Sequence, residues 1–110
     1  MNTGHVVGLI DLGTNSVRLF VVRINENKSY TILNQHKIMV RLGEGEFIKQ
    51  RLKNEAMERT TLVLGRFAEM ARSLGAEEIL AVATSATRDA ENKEVFLERV
   101  RKEAGIDLKV

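Results

Sequence analysis

Apolar residues are concentrated in three stretches near the start of the chain, and polar residues separate them. Residues Val6 to Asp11 are predicted as a buried strand, Ser16 to Ile24 as a second strand and Tyr30 to Leu42 as a third. The polar run Asn25 to Lys28 is typical of a hairpin turn. Three antiparallel strands are therefore expected to open the domain.

Apolar residues then recur at helical spacing. A helix is predicted from Asn54, as its N-cap, to about Leu74, with Gly75 as its stop. Its apolar stripe, which we interpret as core packing, consists of Met57, Thr60, Leu64, Phe67, Ala71 and Leu74. Its solvated face is predicted to contain Glu58, Arg59, Arg66 and Arg72.

The last third of the chain repeats the alternation of strand and helix. We predict a strand from Ile79 to Thr84, a helix from Asn92 to Ala104 and a final strand from Ile106 to Val110, with Gly105 as the stop of the helix. The apolar run that starts at Ile79 is continuous, which is typical of a strand covered on both faces. The order βββαβαβ predicts an α/β fold with a mixed five-stranded sheet.

Composition narrows the class of protein. The chain has 110 residues, 44% of them hydrophobic and 29% charged, with a net charge of +2, so one folded domain is expected rather than a charged tail. There are no cysteines and only two histidines, so the sequence offers no disulfide or thiolate metal site and no histidine cluster. No stretch approaches the roughly 20 apolar residues of a membrane span, and the start of the chain is too polar for a signal peptide. A cytoplasmic location is the expectation.

The first polar turn follows an apolar strand that ends on a carboxylate. Asp11, at the end of a buried strand, would need a partner, and a metal ion with accompanying phosphates would serve. Gly13 permits positive φ and close backbone approach, while Thr14, Asn15 and Ser16 offer oxygens and N–H donors for an anion. The alternative is a simple hairpin turn between two strands.

A second polar turn follows the later strand. Thr84 and Ser85 supply hydroxyl groups, and Arg88 supplies a planar charged fork suited to phosphate oxygens. Ligands in parallel sheets bind beyond the carboxyl ends of the strands, so both turns are expected to face one crevice. The alternative is a surface ion pair of Arg88 with Asp89 or Glu91.

Three segments together resemble the exopolyphosphatase and guanosine pentaphosphate phosphatase family. They are residues Ile10 to Leu19, Val40 to Gly45, and Ala83 to Ala90 followed by Asn92, in the family's order and spacing. The resemblance spans essentially the whole chain but covers only the first part of that family's catalytic region. It implies a ribonuclease-H-like lobe of the actin, heat-shock-protein 70 and sugar-kinase superfamily.

The resemblance also implies a role for each candidate residue. Asp11 would contact a catalytic magnesium ion directly or through water. Gly13, Thr14, Asn15 and Ser16 would line a first phosphate loop, and Thr84, Ser85 and Arg88 would form the opposite wall. No catalytic base is expected within the chain, because the family's glutamate would lie beyond Val110. Residues 1–110 are thus expected to be a fragment with little activity alone that exposes apolar surface.

The implied reaction is hydrolysis of a phosphoanhydride that releases terminal phosphate from inorganic polyphosphate or guanosine pentaphosphate, with magnesium. The sequence does not choose between these substrates. No membrane or nucleic-acid partner is expected, and the full-length protein could be a homodimer. The alternatives are a nucleotide-binding lobe like those of sugar or acetate kinases and a non-catalytic phosphate-binding module. The path of residues 43–52 is not predicted, and Arg41 and Glu44 could line a phosphate channel or form a surface pair.

Overall fold

A computed structural model describes residues 4–43 and 50–110 of the chain. Its centre is a five-stranded sheet in the order β3-β2-β1-β4-β5, in which β1 pairs antiparallel with β2 and parallel with β4. The pairing of β2 with β3 is antiparallel and that of β4 with β5 is parallel. The strands are β1 (His5–Leu12), β2 (Ser16–Ile24), β3 (Tyr30–Met39), β4 (Ala76–Ala83) and β5 (Leu108–Lys109). The mixed five-stranded α/β sheet expected of a ribonuclease-H-like lobe is confirmed.

The strand boundaries differ from the prediction where the backbone leaves the ladder. β3 ends at Met39 rather than Leu42, because Arg41 adopts a left-handed conformation with φ of 51°. β4 begins three residues before Ile79, and β5 comprises two residues rather than the five predicted. The predicted bounds of β2 are confirmed.

In the part of the chain that the structure describes, three helices connect the strands: α1 (Asn54–Ser73), α2 (Ser85–Asp89) and α3 (Lys93–Ala104). The one-turn helix α2 was not predicted, since five residues are too few to show a helical period. The predicted stops are confirmed, because Gly75 and Gly105 have φ of 96° and 68°, which favour glycine.

The predicted stripe of α1 is buried against the sheet except at its last position. Leu74 is 39% exposed, because it follows the last helical residue. Asn54 was wrongly predicted as the N-cap: the cap position is Lys53, and the Asn54 Oδ1 atom accepts a hydrogen bond of 3.1 Å from Arg99 Nη1 of α3. On α3, Phe96 and Val100 are completely buried.

The core lies on one face of the sheet, between the sheet and the helices α1 and α3. Ile10 and Leu12 of β1 are buried on this face together with Ala81 and Ala83 of β4. The prediction that the later strand is covered on both faces is wrong, because Leu80 is 53% exposed on the other face. We call this second side of the sheet the open face.

Within residues 4–43 and 50–110, no helix is both long and apolar enough to cross a membrane.

Candidate functional site

The two predicted polar turns lie at one edge of the sheet, where β1 and β4 end. Leu12 and Ala83 are register partners in the parallel pair. One residue further on, the Thr84 N–H donates to the Leu12 carbonyl at 3.0 Å. The structure therefore places the starts of the two segments, Gly13 and Thr84, at the same edge of the sheet, as the parallel topology predicts.

The turn from Gly13 to Ser16 is closed by a hydrogen bond of 2.9 Å from the Gly13 N–H to the Ser16 carbonyl. Its Asn15 carbonyl accepts hydrogen bonds from the Val40 and Arg41 N–H groups at 2.7 and 2.9 Å. In addition, the Thr14 carbonyl accepts one of 2.9 Å from the Gly43 N–H. Both central carbonyls of the turn therefore point toward residues 40–43.

This carbonyl direction determines where the N–H donors of the turn point. No described peptide bond is cis, and in a trans peptide the N–H points away from the carbonyl of the preceding residue. The N–H groups of Asn15 and Ser16 are thus directed away from residues 40–43. Among the described residues, the Thr14 and Asn15 N–H groups have no backbone acceptor. Such donors are suited to an anion.

Gly13 does not have the conformation that its residue type allowed. Among the described glycines, only Gly75 and Gly105 have positive φ, so Gly13 does not use the positive φ that its residue type permits. A Cβ atom at Gly13 would meet the Ser16 carbonyl oxygen at 3.7 Å, an ordinary contact. The protein itself therefore does not require glycine here, which leaves room for close approach by a ligand.

Asp11 lies on the open face beside this turn. Its neighbours along β1, Ile10 and Leu12, point into the core, so the alternation of a strand directs the Asp11 side chain to the other side. The Asp11 residue is exposed, and the expectation that burial forces it to find a partner is therefore wrong. Water can solvate its carboxylate, which makes the group accessible to a metal ion.

The donor set at this edge fits a magnesium ion that arrives with phosphate. Among the described residues, no three His, Cys, Asp or Glu side chains cluster as a metal site. Magnesium is commonly held by one or two carboxylates, with waters and substrate phosphates as the other ligands. The Asp11 carboxylate could supply the protein's part of that set.

Arg18 is a charged residue at this edge that we did not single out from the sequence as a site residue. It is the register partner of Asp11 across β1 and β2, and Lys37 is its partner on β3. Arg18 and Lys37 line a shallow cavity of about 260 Å³ on the sheet. Period-two alternation through the two strands was the signal that would have placed Arg18 on the face of Asp11.

On the other side of the edge, α2 presents Ser85 and Arg88. Both residues are exposed and lie three positions apart, which places them on one helix face. The Arg88 Nε atom is 3.2 Å from Asp89 Oδ1, with side chains 60% and 62% exposed. This is the surface ion pair foreseen as the alternative. Because exposed pairs of this kind contribute only about 0–1 kcal/mol, the guanidinium can exchange this partner for a ligand.

Arg41 contributes its backbone to the site. Its N–H donates to the Asn15 carbonyl, and the residue is exposed. Glu44, which was considered with Arg41 as a lining of a phosphate channel, lies outside the described residues, as does most of the segment from Gly43 to Gln50.

Arg59 of α1 also reaches this edge, although the sequence predicted it on a solvated face. Its Nε donates to the Val40 carbonyl at 2.7 Å, and its Nη2 donates to the Arg41 carbonyl at 3.3 Å. No side-chain pattern could reveal these contacts, because both acceptors are backbone atoms.

The sheet order and the polar edge at the strand ends define a ribonuclease-H-like lobe of an α/β protein. A family model described as the Ppx/GppA phosphatase family matches residues 20–110. Exopolyphosphatase 1 of Mycobacterium tuberculosis is 37% identical over 102 residues, which cover 93% of this chain and 30% of the relative. The guanosine-5'-triphosphate,3'-diphosphate pyrophosphatase of Vibrio atlanticus is 38% identical over 101 residues, covering 92% and 20%.

Solved structures of similar proteins superpose closely on this chain. The crystal structure of the Aquifex aeolicus member of the Ppx/GppA family superposes with a TM-score of 0.91 at 34% identity, covering 96% of this chain and 34% of that one. An exopolyphosphatase from Cytophaga hutchinsonii gives 0.89 at 34% identity, covering 94% and 33%. This chain belongs to the Ppx/GppA phosphatase family. It spans about a third or less of the length of these relatives.

Proposed function

We propose that the chain forms one wall of a site that hydrolyses phosphoanhydride bonds of inorganic polyphosphate or guanosine pentaphosphate with magnesium. The observation that carries this proposal is the turn from Gly13 to Ser16, whose carbonyls are held by residues 40–43 while its N–H donors point away from them. Asp11 and α2 lie at the same edge. The names of the relatives, an exopolyphosphatase and a guanosine pentaphosphate pyrophosphatase, support the reaction class.

Each group at this edge would act on the phosphates by position and charge. The Asn15 and Ser16 N–H groups would donate to phosphate oxygens, and the side chains of Thr84, Ser85 and Arg88 would hold the chain of phosphates from the other side. Phosphoryl transfer requires mainly such positioning and charge neutralisation. A magnesium ion held by Asp11 would neutralise phosphate oxygens. In this proposal the residues at the edge bind and neutralise phosphate, and none of them is assigned the orientation of the attacking water, so turnover by these residues alone is expected to be slow.

The experiment measures binding of inorganic tripolyphosphate to the chain by calorimetry, with and without Mg²⁺. The Asp11→Asn variant should lose the Mg²⁺-dependent part of the affinity and keep its unfolding temperature, since an exposed carboxylate contributes little to folding. The control is Glu78→Gln on the same open face. Glu78 pairs with Val7, four residues along β1 from Asp11, or roughly 13 Å. Unchanged Mg²⁺ dependence in Asp11→Asn would remove Asp11 from the site.

The same titration tests Arg88. Loss of a charge-assisted hydrogen bond costs about 1.5–3 kcal/mol, so Arg88→Ala should weaken tripolyphosphate binding by roughly one to two decades. Arg88→Lys should recover part of this loss, because lysine keeps the charge without the planar fork. Arg72→Ala, which changes an exposed arginine in the last turn of α1, is the control. Parental affinity in Arg88→Ala would leave the ion pair with Asp89 as its only role.

A further inference from the structure

Residues 40–43 form an adapter between α1 and the turn from Gly13 to Ser16, and we call this segment the adapter. Its Val40, Arg41 and Gly43 N–H groups all donate to carbonyls of the turn. Its Val40 and Arg41 carbonyls accept hydrogen bonds from Arg59. The N–H groups of the adapter thus bind the turn, while its carbonyl groups bind Arg59.

The adapter needs support because its backbone is unusual. Arg41 has φ of 51°, a left-handed conformation that a residue with a Cβ atom seldom adopts. In this conformation two consecutive N–H groups, those of Val40 and Arg41, converge on the single carbonyl of Asn15 at 2.7 and 2.9 Å. If the Val40 and Arg41 carbonyls had no partner, Arg41 would favour an extended or right-handed helical conformation. The Val40 and Arg41 N–H groups would then no longer converge on the Asn15 carbonyl.

Arg59 supplies that partner. The two hydrogen bonds from its guanidinium reach consecutive carbonyls, which fixes the relative orientation of the two peptide planes. A guanidinium is suited to this task because its donors lie in one rigid plane. The residue is half-buried on the second turn of α1, a long helix that packs against the sheet, so its own position is well defined.

We propose that Arg59 is a positioning residue for the phosphate loop. It holds the adapter in its left-handed conformation, the adapter turns the Thr14 and Asn15 carbonyls inward, and the Asn15 and Ser16 N–H donors consequently point toward the ligand. Arg59 itself touches no phosphate. The ligand part of this inference rests on the proposed function of the turn, whereas the part about backbone orientation does not.

Two measurements on the 110-residue chain test the two parts separately. The first is amide hydrogen exchange at Val40, Arg41 and Gly43, whose N–H groups are bonded to the turn. Exchange in Arg59→Ala should be at least tenfold faster at these three amides and unchanged in the middle of β1. Arg59→Lys should give an intermediate rate, because one ammonium cannot hold two carbonyls in fixed planes. Arg66→Ala, an exposed arginine on the same helix, is the matched control and should exchange like the parent.

The second measurement is the affinity for inorganic tripolyphosphate. We expect Arg59→Ala to bind about tenfold more weakly, with Arg59→Lys between it and the parent, at temperatures where all variants are folded by circular dichroism. Unchanged exchange at the three amides would overturn the proposal, and so would fast exchange with parental affinity. If the parent itself does not bind tripolyphosphate, the phosphate role of the turn fails. The exchange rates then decide alone whether Arg59 holds the adapter.

Discussion

Gly8 and Gly13 lie close together in the sequence but lack a side chain for different reasons. A Cβ atom at Gly8 would lie 2.8 Å from the Cβ atom of Ala71, so β1 and α1 approach each other too closely for an alanine. At Gly13 a Cβ atom would meet the protein only at an ordinary contact distance. The first glycine is required by packing, and the second leaves space for a ligand.

This contrast gives a prediction at the scale of single residues. Gly8→Ala should lower the free energy of unfolding by about 1–3 kcal/mol, as overpacked cores do, with tripolyphosphate affinity per folded molecule unchanged. Gly13→Ala should leave the free energy of unfolding within about 0.5 kcal/mol and weaken tripolyphosphate binding about tenfold, which corresponds to 1.4 kcal/mol. Urea unfolding and calorimetric titration of both variants provide the measurements. Parental affinity in Gly13→Ala would mean that no phosphate approaches this turn.

The contacts of Arg59 and Asn92 could not be predicted from the sequence, and the reason is the same for both residues. Each is bound to backbone atoms of a distant segment, and backbone groups have no sequence signature. The positions of Asp11, the turn after it and the second polar segment, Thr84 to Arg88, at one edge could be predicted, because the end of a strand is visible in the pattern and parallel strands share their carboxyl edge. That the second segment is helical could not be predicted.

At the scale of elements, Asn92 fastens the start of α3 to the segment before α1. Its Nδ2 donates to the Leu52 carbonyl and its Oδ1 accepts from the Leu52 N–H, both at 2.9 Å. The Glu91 N–H adds a hydrogen bond of 2.8 Å to the Gln50 carbonyl. Asparagine was part of the matched motif, and the structure shows that its amide satisfies both polar groups of one residue.

The amide of Asn92 both donates and accepts, whereas an ionised carboxylate only accepts, which makes the substitution to aspartate informative. Asn92→Asp keeps the acceptor and loses the donor, so the Leu52 carbonyl loses its partner. A partly buried group left in this way costs about 1–3 kcal/mol, and Asn92→Ala should cost at least as much. Thermal unfolding checks both variants, with Asn27→Asp in the exposed hairpin as the control. An unfolding free energy equal to the parent's in Asn92→Asp would show that the pairing with Leu52 contributes nothing.

The long helix was easier to predict from the sequence than the short one. The twenty residues of α1 repeat the apolar spacing often enough to define its buried face, whereas α2 has one turn and no period. The end of β3 was missed because it depends on the left-handed backbone of Arg41, a residue whose type favours no such conformation.

At the scale of the whole molecule, the two faces of the sheet are unequal. One face is packed against α1 and α3, while Leu9, Leu80 and Val82 are 36%, 53% and 46% exposed on the open face. The apolar run of β4 is typical of a strand buried on both faces, but in the structure only one face of this strand is buried. The run could not show whether another element within residues 4–43 and 50–110 packs on the second face of β4, because burial of a strand depends on the elements that lie against it.

We expect the open face to make the chain self-associate as its concentration rises, since contiguous exposed apolar surface is seldom tolerated in monomers. Leu80→Lys should reduce this association by placing a charge next to Leu9, its register partner, and two residues from Val82. Leu62→Lys is the matched control, because Leu62 is 57% exposed on α1 and lies away from the open face. Light scattering over a concentration series measures the mean mass. A parent that stays monomeric, or equal effects of the two substitutions, would contradict the expectation.

The central position of β1 has a consequence for the order of folding. Val7 pairs with Val22 in β2, nearby in the sequence, and with Glu78 in β4, far along the chain. The closure entropy for the second pairing is larger, so the three antiparallel strands can form first and the parallel pairing follows. During synthesis at about 5–20 residues per second, one edge of β1 stays unpaired for several seconds until β4 has emerged. Over that interval the nascent chain presents a strand edge to its neighbours, and this is the period when a chaperone would matter most to its yield.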